Sequence, residues 1–189
     1  MSRALYLAEL RAPATSGFLG RIAEGYIPSA ADRILEALPR CTLMLDASEF
    51  DRWIEASRRT FESALGDVER GDYNWACFKF QQAAELAVKG LLRGIGRPSP
   101  GHSVSRLLEA AARDTGSTLE EGVIECAKLL DKFYIPTRYP DAWSEGPPHY
   151  YYTRRDSVDA MECASRVIEW VEVVWRLLLD AARRRGRGL

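Results

Sequence analysis

Asp72-Tyr-Asn-Trp-Ala-Cys-Phe-Lys-Phe-Gln-Gln-Ala-Ala-Glu-Leu-Ala-Val-Lys-Gly-Leu-Leu92 is the stretch whose reading decides the fold. Aromatic residues open it and small residues follow at helical spacing. Trp75, Ala76, Phe80, Ala83, Ala84, Ala87, Val88 and Leu91 therefore share one broad side of a helix starting near Tyr73. Alanines on that side would let a second helix approach closely. Lys79, Gln81, Gln82 and Glu85 read as the solvated side, with a polar contact to another helix or subunit as the alternative. Gly94, Gly96 and Pro98 end the element.

Working outward, Phe50, Trp53, Ile54, Phe61, Ala64, Leu65 and Val68 recur at three- and four-residue intervals, giving a preceding helix capped at Ser48 and ended near Gly71. Downstream, Ser103 can cap a helix carrying Val104, Leu107, Leu108 and Ala111, and Gly116 interrupts it. A further helical stretch over Leu119 to Phe133 stops before Pro136, because a residue preceding proline is pushed out of the helical region. A long aromatic and polar loop, Ile135 to Tyr152, leads to a last helix from about Arg155 to Arg184, with Asp156 or Thr153 at its cap. The expected architecture is all-α: an antiparallel, up-and-down four-helix bundle with a broken third helix and an N-terminal extension. Residues 1–47 form the extension, with Ser29 capping a short helix over Ala30 to Leu38 and a sticky Leu43-Met44-Leu45 segment; 48–184 form the bundle; 185–189 form a basic tail.

Composition bounds the rest. With 189 residues, 47% hydrophobic and 28% charged, the chain is an ordinary globular one, and a net charge of -1 carries no global nucleic-acid signature. Arg183-Arg-Arg-Gly-Arg187 reads as a solvated helix end complementing the dipole, with a weak phosphate contact as the alternative. Cys41, Cys77, Cys126 and Cys163 have no Cys-x-x-Cys spacing, so they read as buried thiols and support neither a zinc site nor a redox pair. The chain is expected to be cytoplasmic, unprocessed, without metal or cofactor and without a membrane span. Walker-type, Gly-x-Gly-x-x-Gly and His-Glu-x-x-His patterns are absent from the sequence.

The Asp72 to Leu92 stretch and a second one, Leu130-Asp-Lys-Phe-Tyr-Ile-Pro-Thr-Arg-Tyr-Pro-Asp-Ala142, together with Trp53 and Tyr150-Tyr-Tyr152, resemble the HEPN family of small helical bundles over roughly residues 48 to 184. That resemblance implies a homodimer, nucleotide or RNA as ligand, and a separate minimal nucleotidyltransferase as partner in a toxin and antitoxin type of module. Ribonucleases of the family use an arginine and, after four to six intervening residues, a histidine, one holding phosphate and the other moving a ribose proton. Arg138 matches the arginine, but Trp143, Ser144 and Glu145 stand where the histidine belongs. The leading expectation is accordingly a noncatalytic interaction or nucleotide-binding protein; the alternative is a metal-independent endoribonuclease in which His149, folded back by Pro147-Pro148, or His102 replaces the missing shuttle.

Arg97 and His102 also satisfy the spacing by count, in a different loop, where they would decorate the turn into the third helix or hold an anion at its N-terminus. For the loop after Pro136 two readings stand. Arg138 and Asp141 could form an ion pair with Tyr139 and Trp143 packed beneath. Alternatively Arg138, with Lys132 or Arg154, receives a phosphate or a partner's carboxylate while Tyr134, Tyr139 or Tyr150 stacks on a base.

Overall fold

The computed structural model describes residues 45–186, and within them every extended element is helical. The helices are α1 (Ala47–Arg70), α2 (Tyr73–Gly94), α3 (Val104–Thr115), α4 (Glu121–Asp131) and α5 (Arg154–Gly186), with single 3-10 turns at Pro140–Ala142 and Pro148–Tyr150. The expected helix at Ala30 to Leu38, Cys41 and most of the sticky segment lie outside the described residues; Leu45 lies inside and packs on the core. No helix among the described residues is long and apolar enough to cross a membrane.

The α1–α2 hairpin turns at Gly71 and is antiparallel, since the Asp46 N–H beside the start of α1 donates to Gly94 O at the end of α2 (2.8 Å). Asp46, not Ser48, caps α1: its carboxylate accepts from Glu49 N (3.0 Å) and from the Ser48 hydroxyl (2.8 Å). Those two bonds, the backbone one foremost, hold the Asp46 carboxyl below its ordinary range. Thr153 caps α5 reciprocally with Asp156, whose carboxylate accepts from Thr153 N at 2.8 Å.

Central position explains the composition of α2. It packs on each of the other four helices, so Ala76, Phe80, Ala84, Ala87, Val88 and Leu91 are all fully buried. Close approach to α1 is made possible by Gly90, where a Cβ would stand 2.9 Å from Trp53 Cβ. Phe61 meets Phe80 edge to face at 4.8 Å, and Phe50 stacks on Trp175 of α5 at 4.2 Å, closing the other end of the core.

Two expectations about α2 are corrected. Trp75 is 46% exposed, because it lies beyond the arc that α1 and α5 cover. Gln81 and Glu85 are buried at 0% and 3%, because α3 and the segment before it cover the side that reads as solvated. Lys79 crosses to α1, its Nζ 2.6 Å from Asp67 Oδ2.

The break at Gly116 is a reversal. Gly116 takes a left-handed φ of 68° and Ser117 N donates to Ala112 O, a turn that ends α3 and sends the chain back. Consequently α4 returns beside α3, and the last residue of α4, Asp131, meets the first turn of α3. Cys126 of α4 and Cys163 of α5 form a disulfide with Cα atoms 4.7 Å apart, which corrects the reading of both as thiols. Their 37-residue separation hides the pairing in sequence; packing of α4 on α5 creates it. Cys77 remains a free, buried thiol that burial pushes up to about 12.

Candidate functional site

Where α4 ends, the backbone winds through consecutive turns from Lys132 to Tyr139 instead of continuing as helix. Pro136 breaks the ladder and Thr137 repairs it. The fully buried Thr137 hydroxyl donates to Phe133 O (2.6 Å), while Thr137 O accepts from Asn74 Nδ2 at the start of α2 (3.0 Å). The break is thus fastened to the central helix.

This anchoring places Arg138 against aromatic faces. Its Nε and Nη2 donate to Tyr134 O at 2.9 and 2.6 Å. Its guanidinium carbon lies 4.3 Å from the ring centre of Phe78, 4.6 Å from Tyr134 and 5.0 Å from Tyr139. Cation–π attraction to three electron-rich faces holds the side chain in place of an acidic partner. Among the described residues no ion pair joins Arg138 to Asp141, which is exposed. Trp143 does not pack beneath Arg138 either. Its indole donates to Pro136 O (2.7 Å) and stacks on Tyr151 at 3.9 Å, with Tyr152 edge-on at 5.8 Å. Burial pushes the Tyr152 phenol up to about 12.

The other side of Tyr134's environment is unexpected. His102, from the segment entering α3, stacks on Tyr134 with centroids 4.6 Å apart and planes 14° from parallel. Its Nδ1 is 3.0 Å from Glu85 Oε1. A carboxylate can only accept, so Nδ1 carries a proton, and in the neutral imidazole Nε2 is the basic nitrogen. Glu85 also receives Lys89 Nζ (2.8 Å) and the amides of Gln81 and Gln82 (3.0 Å each), and Gln81 Nε2 further reaches His102 O (3.1 Å).

Of the residues expected in a site, Tyr134, Arg138, Tyr139 and His102 come together. His149 does not: it is exposed, with its ring against Tyr150, so the Pro147-Pro148 turn does not return it to Arg138. Tyr150 (73% exposed), Lys132 and Arg154 stand on the surface without a contact to Arg138 among the described residues. Arg97 pairs with Asp114 at 3.5 Å and not with His102.

Asp131 replaces the anion expected at the start of α3. Its carboxylate accepts from Val104 N (2.5 Å), Ser105 N (3.3 Å), Ser103 Oγ (2.8 Å) and Ser105 Oγ (2.5 Å). The free N–H groups and the positive dipole end that would attract phosphate are therefore already satisfied. Asp131→Ala is expected to lower stability by about 2 kcal/mol, since a lost cap is worth up to about that much. Urea unfolding should show the midpoint falling with unchanged slope.

Phe78, Glu85 and Asp131 were not singled out from sequence as site members. A signal for Glu85 exists: Gln81, Glu85 and Lys89 form a polar stripe at four-residue spacing among alanines that elsewhere are buried.

A family model described as HEPN domain matches residues 50–174. Similar solved structures include the following three. TT1696 from Thermus thermophilus is 42% identical with a TM-score of 0.63, over 66% of this chain and 97% of that one. ST0689, an archaeal HEPN homologue, is 41% identical with a TM-score of 0.55, over 65% and 94%. An HEPN domain protein from Thermotoga maritima is 30% identical with a TM-score of 0.53, over 66% and 98%. No curated protein matches the chain.

Proposed function

This chain belongs to the HEPN domain family, and on that premise we propose that it is a noncatalytic binding and interaction protein for a nucleotide or RNA. It acts as a homodimer in the cytoplasm beside a separate minimal nucleotidyltransferase, in a module of toxin and antitoxin type. The observation that carries the reading is the setting of Arg138. Tyr134 O takes Nε and Nη2 and three rings fix the plane, which leaves the remaining guanidinium N–H groups oriented for an anion. Tyr139, 49% exposed beside it, offers a face for a base. No histidine follows Arg138 at the spacing that turnover in this family requires.

Arg138→Ala is expected to weaken binding of a fluorescent single-stranded oligoribonucleotide or of ATP at least tenfold, with no product formed. Unchanged affinity for both probes would overturn the reading. Copurification with a nucleotidyltransferase tests the partnership separately.

The Glu85–His102 pair favours a second reading, metal-independent RNA cleavage. Nε2 of His102 would accept the proton of a ribose 2′-hydroxyl, whose oxygen attacks phosphorus as the 5′-oxygen leaves and takes a proton from water. Cleavage in chelator that disappears in both His102→Ala and Arg138→Ala would replace the first reading with this one.

A further inference from the structure

We propose that the Cys126–Cys163 disulfide is a reversible tether whose reduction unlocks the Tyr134–Arg138 site while leaving the core of the bundle folded. This inference does not depend on what the site binds.

Placement is the first ground. The covalent ring closed between residues 126 and 163 contains Asp131, Tyr134, Arg138 and the whole connection from α4 to α5. That connection has only two single 3-10 turns of regular structure, so its order rests on its two ends and on the ties of Thr137 and Arg138 to Asn74 and Phe78 of α2. One end is α5, deeply buried through Ala164, Val167 and Val171. The other is α4, which is weak by itself. Its eleven residues carry no side-chain cap at the N-terminus, and the fully or nearly fully buried ones are Cys126, Ala127 and Leu130. Two of those three are small and Val123 and Leu129 are only partly buried against the core, so less apolar area holds this helix down than holds α2 or α5.

The second ground is what α4 supports. Asp131 at its end caps α3, and just before α3 His102 lies on Tyr134, whose carbonyl holds Arg138. A displacement of α4 therefore breaks the Asp131 cap, the imidazole stack and the arginine's seat together. By contrast, the Phe61–Phe80 and Phe50–Trp175 contacts in α1, α2 and α5 involve no residue of α4.

The chemistry is thiol–disulfide exchange. A low-molecular-weight thiolate such as glutathione attacks one sulfur and the Sγ–Sγ bond breaks. A second thiolate then resolves the mixed disulfide. Two protons and two electrons pass to the cysteines, and glutathione leaves as its own disulfide. Cys126 and Cys163 are only 8% and 9% exposed, so attack proceeds through local opening of α4.

The test uses the full chain. Peptide mapping after alkylation of denatured, unreduced protein should find Cys126 and Cys163 unlabelled, and after reduction both labelled; labelling of both before reduction would overturn the proposal. Amide exchange at short labelling times should then be at least tenfold faster over 121–139 in the glutathione-reduced protein and in the Cys126→Ser, Cys163→Ser variant, with α1 and α2 still protected. Equal loss of protection everywhere, or unchanged protection over 121–139 once reduction is verified, would overturn it.

Discussion

Phe80→Ala is expected to lower the unfolding free energy by about 4 kcal/mol, in the range found when a buried phenylalanine is truncated. Phe80 is fully buried on the helix that touches every other helix, and it meets Phe61 edge to face at 4.8 Å. Its removal loses ring burial, the aromatic pair and packing across a void that alanine neighbours cannot fill. Ala76, Ala83, Ala84 and Ala87 are each 0% exposed and have no longer side chain to swing in. Phe80→Leu keeps most of the volume, so its cost should stay near ~1.5 kcal/mol or below. Guanidinium unfolding measures both. A Phe80→Ala loss no larger than that of Phe80→Leu would mean that the site collapses and that α2 is not the rigid centre of the bundle.

Glu85→Ala should be comparably severe, costing about 4 kcal/mol for a different reason. Glu85 is 3% exposed and accepts from Lys89, Gln81, Gln82 and His102, all of which are donors toward it. Truncation leaves a lysine side chain that is only 14% exposed without its counter-charge, and breaking one side of a buried ion pair is far costlier than replacing both sides. Glu85→Gln is also expected to destabilise, since its amide sets two N–H groups against existing donors. The double variant Glu85→Leu, Lys89→Leu should recover much of the loss, and a double-mutant cycle reads the coupling. Additivity of the two single changes would show that Lys89 reaches water without Glu85 and that the network carries little energy. His102 should lose its hold on Tyr134 in each Glu85 variant, a change visible in the imidazole resonances.

The helical periods of α1, α2 and α5 were legible because each buries an apolar face over many turns, and a repeat of three and four survives in the string whatever lies opposite. The caps at Ser103 and Thr153, the stop at Gly71 and the break before Pro136 were legible because they are local. The family followed from the same blocks. Misreadings arose where a residue's role depends on its partner. Ser48 is an acceptable cap by type, yet Asp46 two residues earlier takes the N–H of Glu49. Arg138 and Asp141 are close in sequence, but the turn around Pro136 directs the guanidinium onto Phe78, which is 60 positions away by number.

The site divides along that line. By itself the sequence determined an all-helical chain of the HEPN family, an arginine in the loop after Pro136, and the absence of a histidine at the usual distance behind it. Periodicity, caps and breakers act over a few residues and need no knowledge of the neighbour across the bundle. Only the tertiary structure decided that Gly116 reverses the chain, that α4 then returns to cap α3 through Asp131, and that His102 meets Glu85 and Tyr134. It also decided that Cys126 meets Cys163. The contacts of Asp131, His102 and Cys126 join segments from 17 to 37 residues apart, and contacts of that kind follow from which helix faces bury apolar area together, a choice made by the whole core at once.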